Sequence, residues 1–319
     1  MTRVTPLLRR ALAKPWIWAY LAALLVWLAT VILTSGQATV GLLTAALTFG
    51  SFFALVGIGQ MFVITLGPGN VDLAIPATMV LAATISIKTM DGDPAMIPIG
   101  LAQTIAVGVL VGSANFALIR LLRIPPIIAT LSSSFIILSI AIAWNRGLRI
   151  KPPEILGDFP GTDVLGVPLV ALLVIGVAAI MHIVLERTRY GRSVTAIGQN
   201  QRAARLSRVQ VDRVRLTAYV SCAVFASLAG FLLASYSGGP ALNMGDPYLL
   251  ISIAVVIIGG TSVAGGDGNV PGLWGASLFL FLLAAMLNTF GIGEGVRQML
   301  TGVIVILVIL AASFRKAPD

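Results

Sequence analysis

The side chains in this sequence that could do chemistry fall into two groups. The first is a run of arginines: RTRYGRSVTAIGQNQRAARLSRVQVDRVR, from Arg187 to Arg215, holds eight of the chain's 21 lysines and arginines in 29 residues, with Asp212 as its one acid. Such a run attracts acidic groups and resists entry into hydrocarbon. The second is a scatter of polar residues inside apolar segments: Asn70, Asp72, Asn115, Thr261 and Ser262. Amides, hydroxyls and a carboxylate suit hydrogen bonding to a polar solute or to freed backbone groups. Bond-breaking chemistry has no foothold, because there is no HExxH, no GxSxG elbow, no pair of carboxylates on one helix and no metal-ligand cluster. His182, the sole histidine, lies within one turn of Glu186 and Arg187 at the end of an apolar run, which suits an interfacial role rather than a proton relay. Cys222, the sole cysteine, excludes an intramolecular disulfide. None of the four lysines follows a glycine, so the glycine-rich run near Gly265 is not a Walker A loop.

The elements that must position these residues follow from composition. With 58% hydrophobic and 10% charged residues and a mean hydropathy of +0.99, the chain lies far from soluble domains, which carry roughly 25% charged residues. It reads as an all-α, polytopic membrane protein. A sequence pI near 10.4 does not indicate nucleic acid, because the basic residues punctuate apolar spans instead of clustering on a soluble face. A helix needs about 20 apolar residues to cross the hydrocarbon core, and that length divides the chain into about ten transmembrane helices. The first runs from Trp16 to Leu33, too long for a cleavable signal. The others are Val40 to Leu66, Leu73 to Thr89, Ile97 to Ile119, Ile127 to Trp144, Val167 to Leu185, Leu216 to Tyr236, Tyr248 to Gly260, Pro271 to Phe290 and Gln298 to Ser313. Alternating their directions from a cytoplasmic N-terminus leaves 16 basic residues inside and five outside, and puts the C-terminus inside. Trp16, Trp18 and Trp144 fall near span ends, as interfacial anchors do.

Two glycine-rich interruptions break the apolar pattern, Leu66 to Pro76 and Gly259 to Val270. Each follows an inward-running span and precedes an outward-running one, so each is a broken or re-entrant segment. Both contain Gly-Asn-Val, at Gly69 and Gly268, an offset of 199 residues that hints at an internal duplication. Irregular backbone at membrane depth must be buried in protein or line a water-filled cavity. Asn70, Asp72, Thr261 and Ser262 are therefore candidates for a solute path; Asn115, inside the fourth span, is a further candidate, and its amide equally suits a hydrogen bond to a neighbouring helix. Gly67, Gly69, Gly259, Gly260, Gly265, Gly266 and Gly268 serve as structural glycines. The carboxylate of Asp72 equally suits a structural role, accepting backbone N–H bonds within the break.

The basic segment carries a more specific pattern. Arg187-Thr188-x-x-Gly191-Arg192-x-x-x-Ala196-Ile197-Gly198-x-Asn200-x-x-Ala203-Ala204-Arg205-Leu206 resembles the cytoplasmic signature of permease subunits of ribose-type sugar ABC importers. Arg123-Ile124-Pro125-Pro126-Ile127-Ile128-Ala129-Thr130-Leu131 is similar to that family's entry to a middle helix, and Gly259-Gly260-Thr261-Ser262 with Gly265, Gly266 and Gly268 to its IGGTSxxGGxG loop. The resemblance implies one permease domain over residues 1–319, with residues 1–15 and the 187–215 coupling loop cytoplasmic. It implies a bacterial inner-membrane protein that binds no cofactor itself. ATP and Mg2+ would sit in a cytoplasmic ABC ATPase subunit, a second permease subunit would complete a homo- or heterodimer, and a periplasmic solute-binding protein would deliver a sugar or related small polar solute. Membrane lipid would surround the helices, and no nucleic acid would take part. Gly191, Arg192, Ala196, Gly198, Asn200, Ala203, Ala204 and Arg205 would form the ATPase-coupling element. Asn200 would cap a helix over Gln199 to Ser207, the small Ala203 and Ala204 would permit close approach, and the arginines would reach acidic groups.

The sequence departs from the family around the path. Relatives often read TGGIDLSVGS where Leu66 to Pro76 keeps only Asp72-Leu73, and the segment Tyr248 to Ala254 lacks the acids that often follow its aromatic. Solute identity is therefore not carried over. Branched-chain amino-acid and nucleoside ABC permeases are the nearest alternatives. An ion-coupled secondary transporter is the alternative of another class, though it would be expected to carry more charges deep in its helices.

Overall fold

A computed structural model of the protein describes residues 14–34, 36, 40–145 and 151–289, with isolated positions at 291, 293, 295–296, 299–300, 302–304 and 306–307. Seven helices among them are long and apolar enough to cross a membrane: α1 (Pro15–Leu33), α2 (Val40–Thr65), α4 (Ile97–Leu121), α5 (Pro126–Trp144), α7 (Leu169–Arg187), α10 (Val211–Tyr236) and α12 (Val270–Thr289). Two shorter apolar helices, α3 (Ile75–Met90) and α11 (Tyr248–Ile258), stand next to the glycine-rich breaks. These nine helices fall at nine of the ten expected positions, and seven of them have the length of a span. The tenth, Gln298 to Ser313, and the basic N-terminal residues 1–13 fall outside the described residues apart from isolated positions. Proline in the first turn starts α1, α3, α4 and α5, where its missing N–H leaves no helical hydrogen bond unmade.

At 1.5 Å per residue α11 is about 16 Å long, roughly half the ~30 Å hydrocarbon thickness. It is a half-span. α10 lies at the centre, packed on α2, α3 and α4, while α12 packs on α1 and α2. The α4–α10 crossing is set by Gly108 and Gly112, one turn apart on α4. A Cβ at Gly108 would lie 2.6 Å from Val224 Cα, and one at Gly112 2.5 Å from Val220 Cα. The two helices touch backbone to backbone there, as small-xxx-small crossings in membranes do.

Between α5 and α7, where the sequence indicates only a loop, lie a short helix α6 (Glu154–Asp158), a 3-10 turn (Phe159–Gly161) and a hairpin of β1 (Asp163–Val164) and β2 (Val167–Pro168). Elements of two to five residues leave no periodicity to read. The strand at Val167 is why α7 begins at Leu169 and not at Val167. The hairpin turns through Leu165 (φ 54°) and Gly166 (φ 80°), a left-handed pair usually filled by Asn-Gly. Leu165 is fully exposed, so it gains no burial in return for its backbone strain. Leu165→Asn is expected to stabilise the protein by about 1 kcal/mol, seen as a raised thermal unfolding midpoint in detergent.

Candidate functional site

The arginine-rich segment folds into two helices, α8 (Arg189–Gln199) and α9 (Gln201–Leu206). Thr188 caps the first, its Oγ1 accepting the Gly191 N–H at 3.1 Å. Asn200 caps the second as expected, its Oδ1 accepting the N–H groups of Arg202 and Ala203 at 3.0 Å. The sequence reading missed α8, although Val194 and Ile197, both buried, mark its inner face with helical spacing. Tyr190 on the same helix stacks on Phe62 of α2, with ring centroids 5.8 Å apart. Burial pushes its phenol above the ordinary range. On α9, Arg202, Ala203, Arg205 and Leu206 face outward, Leu206 being 87% exposed. Ala204 is only 4% exposed. Its small side chain therefore permits close approach to this chain's own core, where the sequence reading had it meet a partner.

The two glycine-rich breaks meet this segment. The N–H of Gly266 donates to the carbonyl of Thr65, at the end of α2, at 2.9 Å. A Cβ on Gly198 would overlap both that carbonyl oxygen and the Gly266 nitrogen, and a Cβ on Gly265 would overlap Gly67. Gly266 has φ 75°, and a Cβ there would lie 2.6 Å from Gln199 Cγ and 2.9 Å from Gln199 N. Three stretches of main chain, the end of α2, the α11–α12 loop and the end of α8, thus interlock with no side chain between them. The α11–α12 loop is closed by its own bonds, Ser262 N to Asp267 O at 2.9 Å, Asn269 N to Thr261 Oγ1 at 3.1 Å and Asn269 Nδ2 to Gly259 O at 2.8 Å. Beside the interlock opens a cleft of about 300 Å3, walled by Glu186, Arg192, Thr195 and Gln199 on one side and Gly266, Asp267 and Gly268 on the other.

The residues proposed from sequence as path-lining occupy different surroundings. Asp72 and Asn115 come together in the interior, 2% and 0% exposed. Asp72 Oδ1 accepts the Ala74 N–H at 2.9 Å and the Asn115 Nδ2 at 3.3 Å, while Ser133 Oγ donates to Asn115 Oδ1 at 2.5 Å. Gln60 of α2 exchanges bonds with the Asp72 backbone, at 3.2 and 3.4 Å, and Thr130 Oγ1 of α5 accepts the Leu73 N–H at 3.0 Å. Every side of the broken segment is thereby held by a different helix, which satisfies backbone groups that lipid could not. Asn70 is half-buried. Its Oδ1 accepts from Arg215 Nη2 at 3.1 Å and Tyr219 OH at 3.3 Å on α10, and its Nδ2 donates to Gly67 O at 3.1 Å. Thr261 is buried and Ser262 half-buried, and Gly69 has open space beside it. Gln60, Ser133 and Tyr219 were not singled out from sequence, and Thr130 and Arg215 entered only as part of a motif and as the end of the basic run. Nearby, Arg120 and Asp212 form an ion pair at 2.9 Å, both half-exposed, which contributes at most about 1 kcal/mol.

A model of the family described as "Branched-chain amino acid transport system / permease component" matches residues 42–310. The chain is 27% identical over 253 residues to the autoinducer 2 import system permease protein LsrD of Escherichia coli strain K12, covering 77% of this chain and 76% of that protein. The same identity and coverage hold for the proteins of that name from Shigella flexneri and Escherichia coli O157:H7. No solved structure matches the chain.

Proposed function

The chain belongs to this family of transport-system permease components, and on that premise we propose that it is the membrane-spanning subunit of an ATP-driven importer of the bacterial inner membrane. The arginine-rich end faces the cytosol, together with both termini. A separate ABC ATPase subunit binds ATP and Mg2+ and docks on α8 and α9, where Arg192, Arg202 and Arg205 meet acidic groups and Leu206 meets an apolar one. A second permease subunit completes the pore, and a periplasmic binding protein delivers the solute. A small sugar-type polar solute is the favoured cargo, with autoinducer 2 first, since the relatives are named for it. The amino-acid description of the matched family is the reason to keep leucine in the test.

The observation that carries the reading is the interlock of main chain at Thr65, Gly198 and Gly266. A push on α8 and α9 reaches α2, and through the α11–α12 loop reaches α12, without passing through any flexible side chain. Gln199 and Gly198 form the coupling contact, while Asp72 and Asn115 keep the broken segment in register.

Proteoliposomes holding the chain with the ATPase and binding protein from its neighbouring genes test the assignment, with autoinducer 2, D-ribose and leucine as probes. ATP-dependent uptake of one of the sugar-type probes supports it. Uptake that ignores ATP and stops with an uncoupler overturns it. The interlock has its own control, because Gly266 and Gly69 share a left-handed φ, 75° and 78°, but only Gly266 has a neighbour for a new Cβ to strike. Gly266→Ala is expected to raise the ATP hydrolysed per solute imported about tenfold, and Gly69→Ala to change it by less than about twofold.

A further inference from the structure

Of the polar residues first expected to line a passage, Asp72, Asn115 and Thr261 are buried in the chain's own interior, so a passage needs further polar surface. The connection between α10 and α11 supplies it. Tyr248, the first residue of α11, packs edge-on against Phe53 with centroids 5.4 Å apart, and Phe53 stands midway along the 26 residues of α2. Gly245 sits against the backbone of Pro76, where a Cβ would lie 2.8 Å from Pro76 Cα. Pro76 opens α3, whose other end at Met90 is about 21 Å away at 1.5 Å per residue. Two independent packing partners therefore put the end of the connection near mid-membrane. Its sequence is Ser-Gly-Gly-Pro-Ala-Leu-Asn-Met-Gly-Asp-Pro, residues 237–247, without helix or strand. Asn243 and Asp246 in it are exposed on the subunit, although Gly245 and Tyr248 beside them are buried.

An exposed carboxylate and amide at that depth cannot face hydrocarbon; such groups face water-filled space or a polar ligand. Resting on the importer reading above, we infer that Asn243 and Asp246 form the mid-membrane solute contact of the passage, a specificity site for a small polyhydroxylated molecule. The chemistry fits. Asp246 accepts hydrogen bonds from hydroxyl groups, and Asn243 both donates and accepts, so the pair complements a polyol from two directions. Two contacts bind weakly enough for solute to leave, as conduction requires. Alternating access then changes which side of the membrane this turn can be reached from.

The test uses the full chain in its assembled complex, and the buried Cys222 leaves the native protein with no accessible thiol among the described residues. Asp246→Cys is exposed to a charged, membrane-impermeant methanethiosulfonate, with uptake of autoinducer 2 and D-ribose followed before and after. The expected result is rapid modification, slowed by the transported probe, and loss of at least about 90% of uptake on modification. Asn243→Ala and Asp246→Ala are expected to change the ratio of the two uptake rates by about tenfold while the thermal midpoint stays at its wild-type value. Absence of labelling overturns the proposal, since the turn then faces lipid or protein. Labelling that leaves uptake unchanged overturns it too, as does an unaltered solute ratio in both alanine variants. Labelling is independent of ATP, so these failures are distinct from ATP-independent uptake by the wild-type complex, which would overturn the importer reading.

Discussion

Gly112→Leu is expected to cost about 3 kcal/mol or more and to leave little folded protein in detergent extracts. The new Cβ alone would sit 2.5 Å from Val220 Cα and 2.7 Å from the Tyr219 carbonyl oxygen, and a backbone cannot rotate away as a side chain can. α4 would have to move off α10. Asn115 lies three residues further along α4, so the shift would also pull its amide from Asp72, 3.3 Å away. The control is Gly176→Leu on α7, an equally apolar helix where a Cβ would meet nothing within 4 Å. That variant is expected to retain the wild-type thermal midpoint. Comparable loss in both variants would show that the α4–α10 contact is not what limits stability.

Asp72→Ala is expected to destabilise by about 3 kcal/mol. It strips the Ala74 N–H of its acceptor and leaves the Asn115 amide buried with nothing to donate to in the break. Asp72→Asn keeps an acceptor at the Oδ1 position, and Asn115 can turn its amide to suit, so the expected cost falls to about 1 kcal/mol. Thermal midpoints of the two variants in one detergent check the order. A path-lining carboxylate with no structural duty would reverse the emphasis, with near-native midpoints and lost uptake in both.

The long helices were legible because a hydrophobic run of twenty residues in a membrane has one way to satisfy its backbone. Val40 to Leu66 and Ile127 to Trp144 differ from α2 and α5 by one residue at one end. The cap at Asn200 was legible because capping is local. α8 is masked in the sequence by its charge, although Tyr190, Val194 and Ile197 repeat at helical intervals. What a sequence does not display is who meets whom across the fold. Asp72 and Asn115 each stood out as polar residues in apolar runs, but their bond spans 43 positions. Thr130 was hidden differently, since its hydroxyl also bonds the Pro126 carbonyl four residues back, the ordinary habit of a threonine in an apolar helix. The glycines of the two breaks suggested a broken segment beside a solute path and a structural role. Only the fold reveals that Gly266 closes on Thr65 and Gly198, some 200 and 70 residues away.

The interlock at Thr65, Gly198 and Gly266 is made of main-chain atoms, which every amino acid shares. Point substitutions elsewhere leave such a joint as it was, while at Gly198 and Gly266 any added Cβ strikes a neighbouring main chain. The proposed solute-facing turn at Asn243 and Asp246 is under no such restriction, since both residues are exposed. A change or two in that one turn can therefore alter what the protein carries while the main-chain joint stays as it is.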